Sequence, residues 1–217
     1  SVMHKTARAA RTELKKYSRP TRAKAVAAFF KTEKGGYGYG DRFIGTTVPE
    51  VRSVAKKCRE LPLDQCEILL KSKIHEERLL ALLTLVLQFE KADLRTRRRI
   101  YSLYMRRLDC VNSWDLVDTS AAQIVGASLF EGDRSRLHRL AKSKDLWRRR
   151  IAIIATYYFI RRGEFRDTLE ISEILLADPH DLIHKAAGWM LREVGNRDLK
   201  TELKFLDRHS KRMPRTM

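Results

Sequence analysis

Apolar residues recur along most of this chain at three- and four-residue intervals, the period of one helix face, and few stretches alternate as a strand would. Ile74, Leu79, Leu82, Leu83 and Val86 fall on one broad stripe of this kind. Breakers divide the pattern into about a dozen helices. "YSRPT" (17–21) ends the first of them, and "ADPHD" (177–181) separates two late ones. Pro49 stands just inside another helix start. Thr47 and Glu50 there have the spacing of a capping box, in which each side chain satisfies backbone N–H groups of the first turn. The pattern predicts an all-α fold.

A longer period overlies the helical one. Arg78 in "HEERLLALLTL", Trp114 in "NSWDLVDTSA", Arg150 in "WRRRIAIIAT" and Lys185 in "LIHKAAGWML" are separated by 36, 36 and 35 residues. Each opens an amphipathic helix after a short polar turn. Two helices per period of this length make an α-α superhelix, a solenoid of HEAT-like repeats. The second helices of such pairs line one concave surface, so the four positions are expected to face a common basic groove. One domain over residues 1–217 is expected. The least regular stretch, "KTEKGGYGYGDRFIG" (31–45), has glycines but no GK[ST] ending and no preceding strand, so it reads as a loop near the groove mouth.

Charge narrows the partners. The 45 Lys and Arg outnumber the 27 Asp and Glu, for a formal net charge of +18. Such a surface suits a polyanion, above all nucleic acid, because binding releases the counterions condensed on phosphates. No helix has the broad greasy face of a membrane-surface helix, and Leu79 to Leu87 is too short to span a bilayer. Cys58, Cys66 and Cys110 are odd in number and lack CxxC spacing, which reads as free thiols and a cytoplasmic location, or a nuclear one in a nucleated cell. No His or carboxylate spacing suggests a metal, and no motif suggests a cofactor.

The chemistry-bearing residues are few. In "NSWDLVD" (112–118), Trp114 and Asp118 are four apart and share a helix face, while Asp115 points elsewhere and favours the helix dipole. An acid beside an indole in a basic chain opposes phosphate binding and needs a reason. The plain alternative is that Asp118 caps a loop or pairs with an arginine and Trp114 is core. Lys185, Trp189 and Arg192 share a second face, thinned by Ala186, Ala187 and Gly188 so that a neighbour or ligand can approach. Of the three arginines in "LWRRRIA", Arg150 is expected to face the groove, with Arg148 and Arg149 solvated, as is most of "RTRRR" (95–99).

"NSWDLVD", "LWRRRIA" and "HKAAGWMLRE", with "FFKTEKGGYGYGDRFIGTTVPEVR" (29–52), resemble the AlkD-type DNA alkylation-repair glycosylases from about residue 20 to the end. The resemblance implies HEAT-like repeats around duplex DNA and excision of 3-methyladenine and 7-methylguanine without metal or cofactor. It implies Asp118 as the catalytic aspartate and Trp114 and Trp189 as the tryptophans at the lesion. Arg150 and Arg192, with Lys185 and Thr47, become the DNA contacts. An alkylated purine is already cationic and leaves without a general acid. One carboxylate can then stabilise the oxocarbenium-like sugar and place the water. Such enzymes leave the lesion largely stacked. Tyr158 stands where a relative has a phosphate-contacting lysine. The chain stops at "SKRMPRTM", where a closing helix would follow. A monomer that binds duplex DNA containing alkylated purines is expected. The competing expectation is a non-enzymatic HEAT-like module binding nucleic acid or an acidic protein. Separating the two, the enzyme is expected to keep Asp118 free of a permanent salt bridge and flanked by Trp114 and Trp189.

Overall fold

The structure, a computed structural model, describes residues 2–217 and is all helical apart from one isolated bridge between Arg42 and Ile74. Two compact units divide the chain between Leu116 and Val117. The first holds α1 (Ala7–Lys15), α2 (Pro20–Phe29), α3 (Val48–Lys57), α4 (Leu63–Leu70), α5 (His75–Lys91) and α6 (Leu94–Arg106). The boundary falls inside the short α7 (Trp114–Asp118). The second unit continues with a π-helical turn (Ala121–Gly126), α8 (Ala127–Phe130), α9 (Ser135–Ala141), α10 (Leu146–Ala155), α11 (Tyr157–Ile160), α12 (Arg166–Ile174), α13 (Asp181–Arg197) and α14 (Leu199–His209).

Local chemistry sets the ends of these helices. Pro20 occupies the first position of α2, where its missing N–H costs nothing. The capping box of α3 forms as expected: Thr47 Oγ1 accepts from the Glu50 N–H, and the Glu50 carboxylate accepts from the Thr47 N–H. Asp93, Asp145 and Asp198 cap α6, α10 and α14.

Helices pack on near neighbours in sequence within each unit, as in a helical repeat array. In the first, α3 and α4 lie on α5, and α1 on α3 and α4. In the second, α10 packs on α9 and α13, and α13 on α14. The large fully buried side chains, among them Leu80, Leu82 and Leu85 of α5 and Phe159 of α11, contribute about 1.5–3 kcal/mol each.

Helix α5 departs from the stripe its sequence suggested. Every residue from His75 to Leu85 is buried, because α3, α4 and α6 all pack on it. The first four of those residues, "HEER", are ionisable, and each finds partners, whereas the buried Thr84 hydroxyl has none. His75 and Arg78 bind Asp41, Glu76 accepts from the backbone of residues 44–46, and Glu77 takes Arg11 at 2.6 Å.

Candidate functional site

The first unit carries Trp114, at the opening of α7. Its indole is half-buried and lies face to face with Phe30, ring centres 5.3 Å apart and planes 8° apart, with Phe29 edge-on at 6.3 Å. Behind it runs a chain of charges. Asp115 does not point outward to serve the helix dipole from solvent. Its Oδ2 meets His75 Nε2 at 2.7 Å, while His75 Nδ1 meets Asp41 Oδ2 at 2.7 Å. Arg78 donates to both Asp41 oxygens and to the Ser72 carbonyl. Burial alone would drive charge off His75, but the hydrogen bonds and charges of Asp115 and Asp41 prevail and raise its pKa to about 9. Burial works against the Asp41 carboxylate too, yet His75 and Arg78 hold its pKa below the usual range.

The glycine-rich segment is therefore a structural arm. Phe30 at its start stacks on Trp114, Phe43 stacks on His75 at 4.5 Å, and Asp41 ties it to α5. Gly45 turns with a φ of +88°, which an L side chain rarely adopts. That turn lets the N–H groups of residues 44–46 converge on Glu76.

The second unit carries Asp118, Arg150 and Trp189. Asp118 is not free of a salt bridge: Arg150 Nε and Nη2 donate to its two oxygens, both at 2.9 Å. The third nitrogen, Nη1, donates to the Leu182 carbonyl at 2.6 Å. Arg150 is 6% exposed, against the expectation that it faces a groove, and Arg78 at the equivalent repeat position is 5% exposed. The reason is the same in both: each guanidinium pins a carboxylate and a backbone carbonyl, a fork geometry arginine suits. Arg149, expected to be solvated, pairs with Asp178 at 2.6 Å.

Trp189 is half-buried, its ring 6.1 Å from that of Tyr157. Lys185 and Arg192 on the same helix are exposed, though Lys185 pairs with Asp181 at 3.2 Å. The thin face of α13 has a neighbour: the Met217 backbone lies against Gly188, where any Cβ would collide with it. Thr47 spends its hydroxyl on the α3 cap. Tyr158 lies under the guanidinium of Arg162.

Sequence reasoning missed Asp41, His75 and Phe30, which lie far from residue 114 along the chain. The one available signal was a histidine at the head of an apolar helix. It also missed a His138, Asp167 and Glu170 cluster of metal-ligand type. That cluster is internally neutralised: Arg134 binds Asp167 at 3.0 Å, and Glu170 binds His138 at 2.8 Å and Arg166 at 2.9 Å. The thiols are free, as expected, and burial pushes Cys58 up to about 11 and Cys66 up to about 12. Among the described residues, no helix is long and apolar enough to cross a membrane.

A family model described as DNA alkylation repair enzyme matches residues 10–217. Among solved structures, the chain is similar to one titled as a predicted DNA alkylation repair enzyme from Enterococcus faecalis. The two are 16% identical, with a TM-score of 0.66 over 88% of this chain and 89% of that one. No curated protein matches.

Proposed function

This chain belongs to the family of DNA alkylation repair enzymes, and on that premise we propose that it is a monofunctional DNA glycosylase. It excises cationic N3- and N7-alkylated purines, such as 3-methyladenine and 7-methylguanine, from duplex DNA and acts as a monomer. What supports this most is the family match over residues 10–217, with Trp114 and Asp118 on one short helix. The Arg150 fork on Asp118 runs against the unpaired acid expected of the enzyme, and in this reading it holds the carboxylate in one orientation.

The fork engages both carboxylate oxygens and so fixes their direction. Fixing the acid in advance is what electrostatic stabilisation of a developing cation requires, since no reorganisation is then needed as charge builds on the sugar. In this reading Arg150 is a positioning residue, not a backbone contact. Trp189, in the same unit as Asp118, offers a π face to the cationic lesion or sugar, and Trp114 opens the helix that carries the acid. Arg192 and Lys185 meet phosphates. The leaving purine carries its own positive charge and needs no general acid.

The same ion pair favours a second reading, a non-enzymatic HEAT-like module that binds nucleic acid or an acidic protein, in which Asp118 and Arg150 are a structural bridge. Single-turnover release of 7-methylguanine from alkylated duplex DNA separates the two. Asp118→Asn alone sets an amide N–H against a guanidinium donor and is expected to lower stability, so Asp118→Asn with Arg150→Gln is measured beside it as a neutral, hydrogen-bonded replacement. Excision is expected to fall on the order of 100-fold in both, scored per folded molecule. A well-folded double variant with full excision would remove Asp118 from the mechanism. A wild-type protein that binds alkylated duplex but releases no base would leave the module reading.

A further inference from the structure

Wholly within the second unit, the run "YYFIRR" (157–162) carries two tyrosines and two arginines that the excision chemistry does not use. Each tyrosine meets the arginine four residues on, the spacing that brings side chains together on one helix face. The Arg162 guanidinium lies over the Tyr158 ring, 3.3 Å from its centre, and that of Arg161 over Tyr157 at 5.9 Å. Tyr158 is itself firmly seated. Phe130 meets its ring edge-on at 5.6 Å, and its Cβ packs where any side chain on Gly126 would have to stand. Arg162 Nη1 also donates to the Tyr158 carbonyl at 3.0 Å, so ring and backbone together hold one guanidinium.

Arg134 shows the contrasting, structural use of such stacking in the same unit. It lies over Phe130 and Phe159 at 4.7 and 4.4 Å, but Glu164 and Asp167 neutralise it, each at 3.0 Å. That pairing also occupies Glu164, the acid nearest to Arg162 along the chain. Arg161 and Arg162 are exposed and have no carboxylate partner among the described residues. A guanidinium carries its N–H donors in its plane, so a stacked one gives its face to the ring and keeps its edge for a ligand. A structural arginine would be paired, and a solvated one would not be held.

We propose that Arg161 and Arg162 are a phosphate clamp for the DNA backbone, with Tyr157 and Tyr158 as the platforms that hold their guanidinium groups ready. Gripping a phosphate costs an exposed arginine its side-chain freedom, and stacking removes that freedom beforehand. The planar forks match the bidentate geometry of phosphate oxygens. Tyr157 also stands 6.1 Å from Trp189, which sets the clamp beside the aromatic surface of α13. The clamp rests on the DNA-binding part of the proposed function and not on base excision.

The test is fluorescence anisotropy of a labelled, undamaged duplex titrated with the full chain at several salt concentrations, with the melting temperature of each variant. Arg161→Gln and Arg162→Gln should each make the log–log salt slope shallower by about 0.9, the equivalent of one phosphate. Tyr158→Leu keeps both charges, so the slope should hold while affinity falls about 2- to 5-fold with the stack gone. Arg162→Lys should behave in the same way, since the charge stays without the planar fork, and it replaces Tyr158→Leu should that variant melt early. An unchanged slope in either glutamine variant overturns the clamp. So does wild-type affinity in both Tyr158→Leu and Arg162→Lys. Poly-glutamate that competes as well as duplex at equal charge would assign these arginines to an acidic protein and overturn it too. A wild type without salt-dependent duplex binding sinks the DNA-binding reading itself, whereas duplex binding with every slope intact sinks the clamp alone.

Discussion

Titration from about pH 6 to about pH 10 should strip the proton from an imidazolium that the fold holds between two carboxylates. The groups facing His75 are Asp115 from α7, Asp41 and the Phe43 ring from the arm, and Phe30, with Arg78 of α5 beyond Asp41. Its pKa moves from the ordinary 6.5 to about 9 on folding. Because the folded value is the higher one, the stabilisation is fully present below the unfolded pKa and is lost as pH rises through the folded one. The shift corresponds to about 3 kcal/mol. Between those two pKa values the unfolding free energy should fall by about 1.4 kcal/mol per pH unit on this account. Asp41, whose pKa is depressed, contributes stability that is lost in acid, outside this window. The assay is urea unfolding across the range for wild type and His75→Asn, with the His75 ring followed by NMR. A wild-type slope equal to that of His75→Asn, or a ring titrating at or below its unfolded value, would refute the reasoning.

Three further outcomes are expected. Arg192→Ala should make the log–log salt dependence of binding to undamaged duplex shallower by about one unit, whereas Arg150→Ala should leave the slope alone because its three nitrogens are engaged inside the protein; a reversed result in salt titrations would return Arg150 to the phosphates. Gly45→Ala should destabilise by more than about 1 kcal/mol in thermal or urea unfolding, since φ is +88° and its Cβ would meet the Arg19 carbonyl and the Ala23 nitrogen, both backbone. Trp114→Phe should keep a near-native melting temperature while slowing excision, because a phenyl ring still stacks on Phe30 but offers a weaker π face; a variant that melts early yet excises normally would make Trp114 a core residue.

The helices, their ends and their repeat register were legible in the residues themselves. Apolar period, the Thr47 and Glu50 box, Pro20 and the aspartate caps act over one or two turns, so local sequence carries them. The repeat places Arg78, Trp114, Arg150 and Lys185 each within the first five residues of a helix, as the spacing suggested. What those side chains do there was decided only by tertiary structure. Periodicity orders positions around a helix axis but does not say which neighbour, or water, waits on each side. So Arg78 and Arg150 turned inward onto Asp41 and Asp118, and the expected unpaired acid became half of a buried-edge ion pair. His75 is 34 residues from Asp41 and 40 from Asp115, and no local rule couples such distances. Burial in a low-dielectric interior couples them, because there a charged side chain is stable only beside a partner, and the fold alone chooses which partner that is.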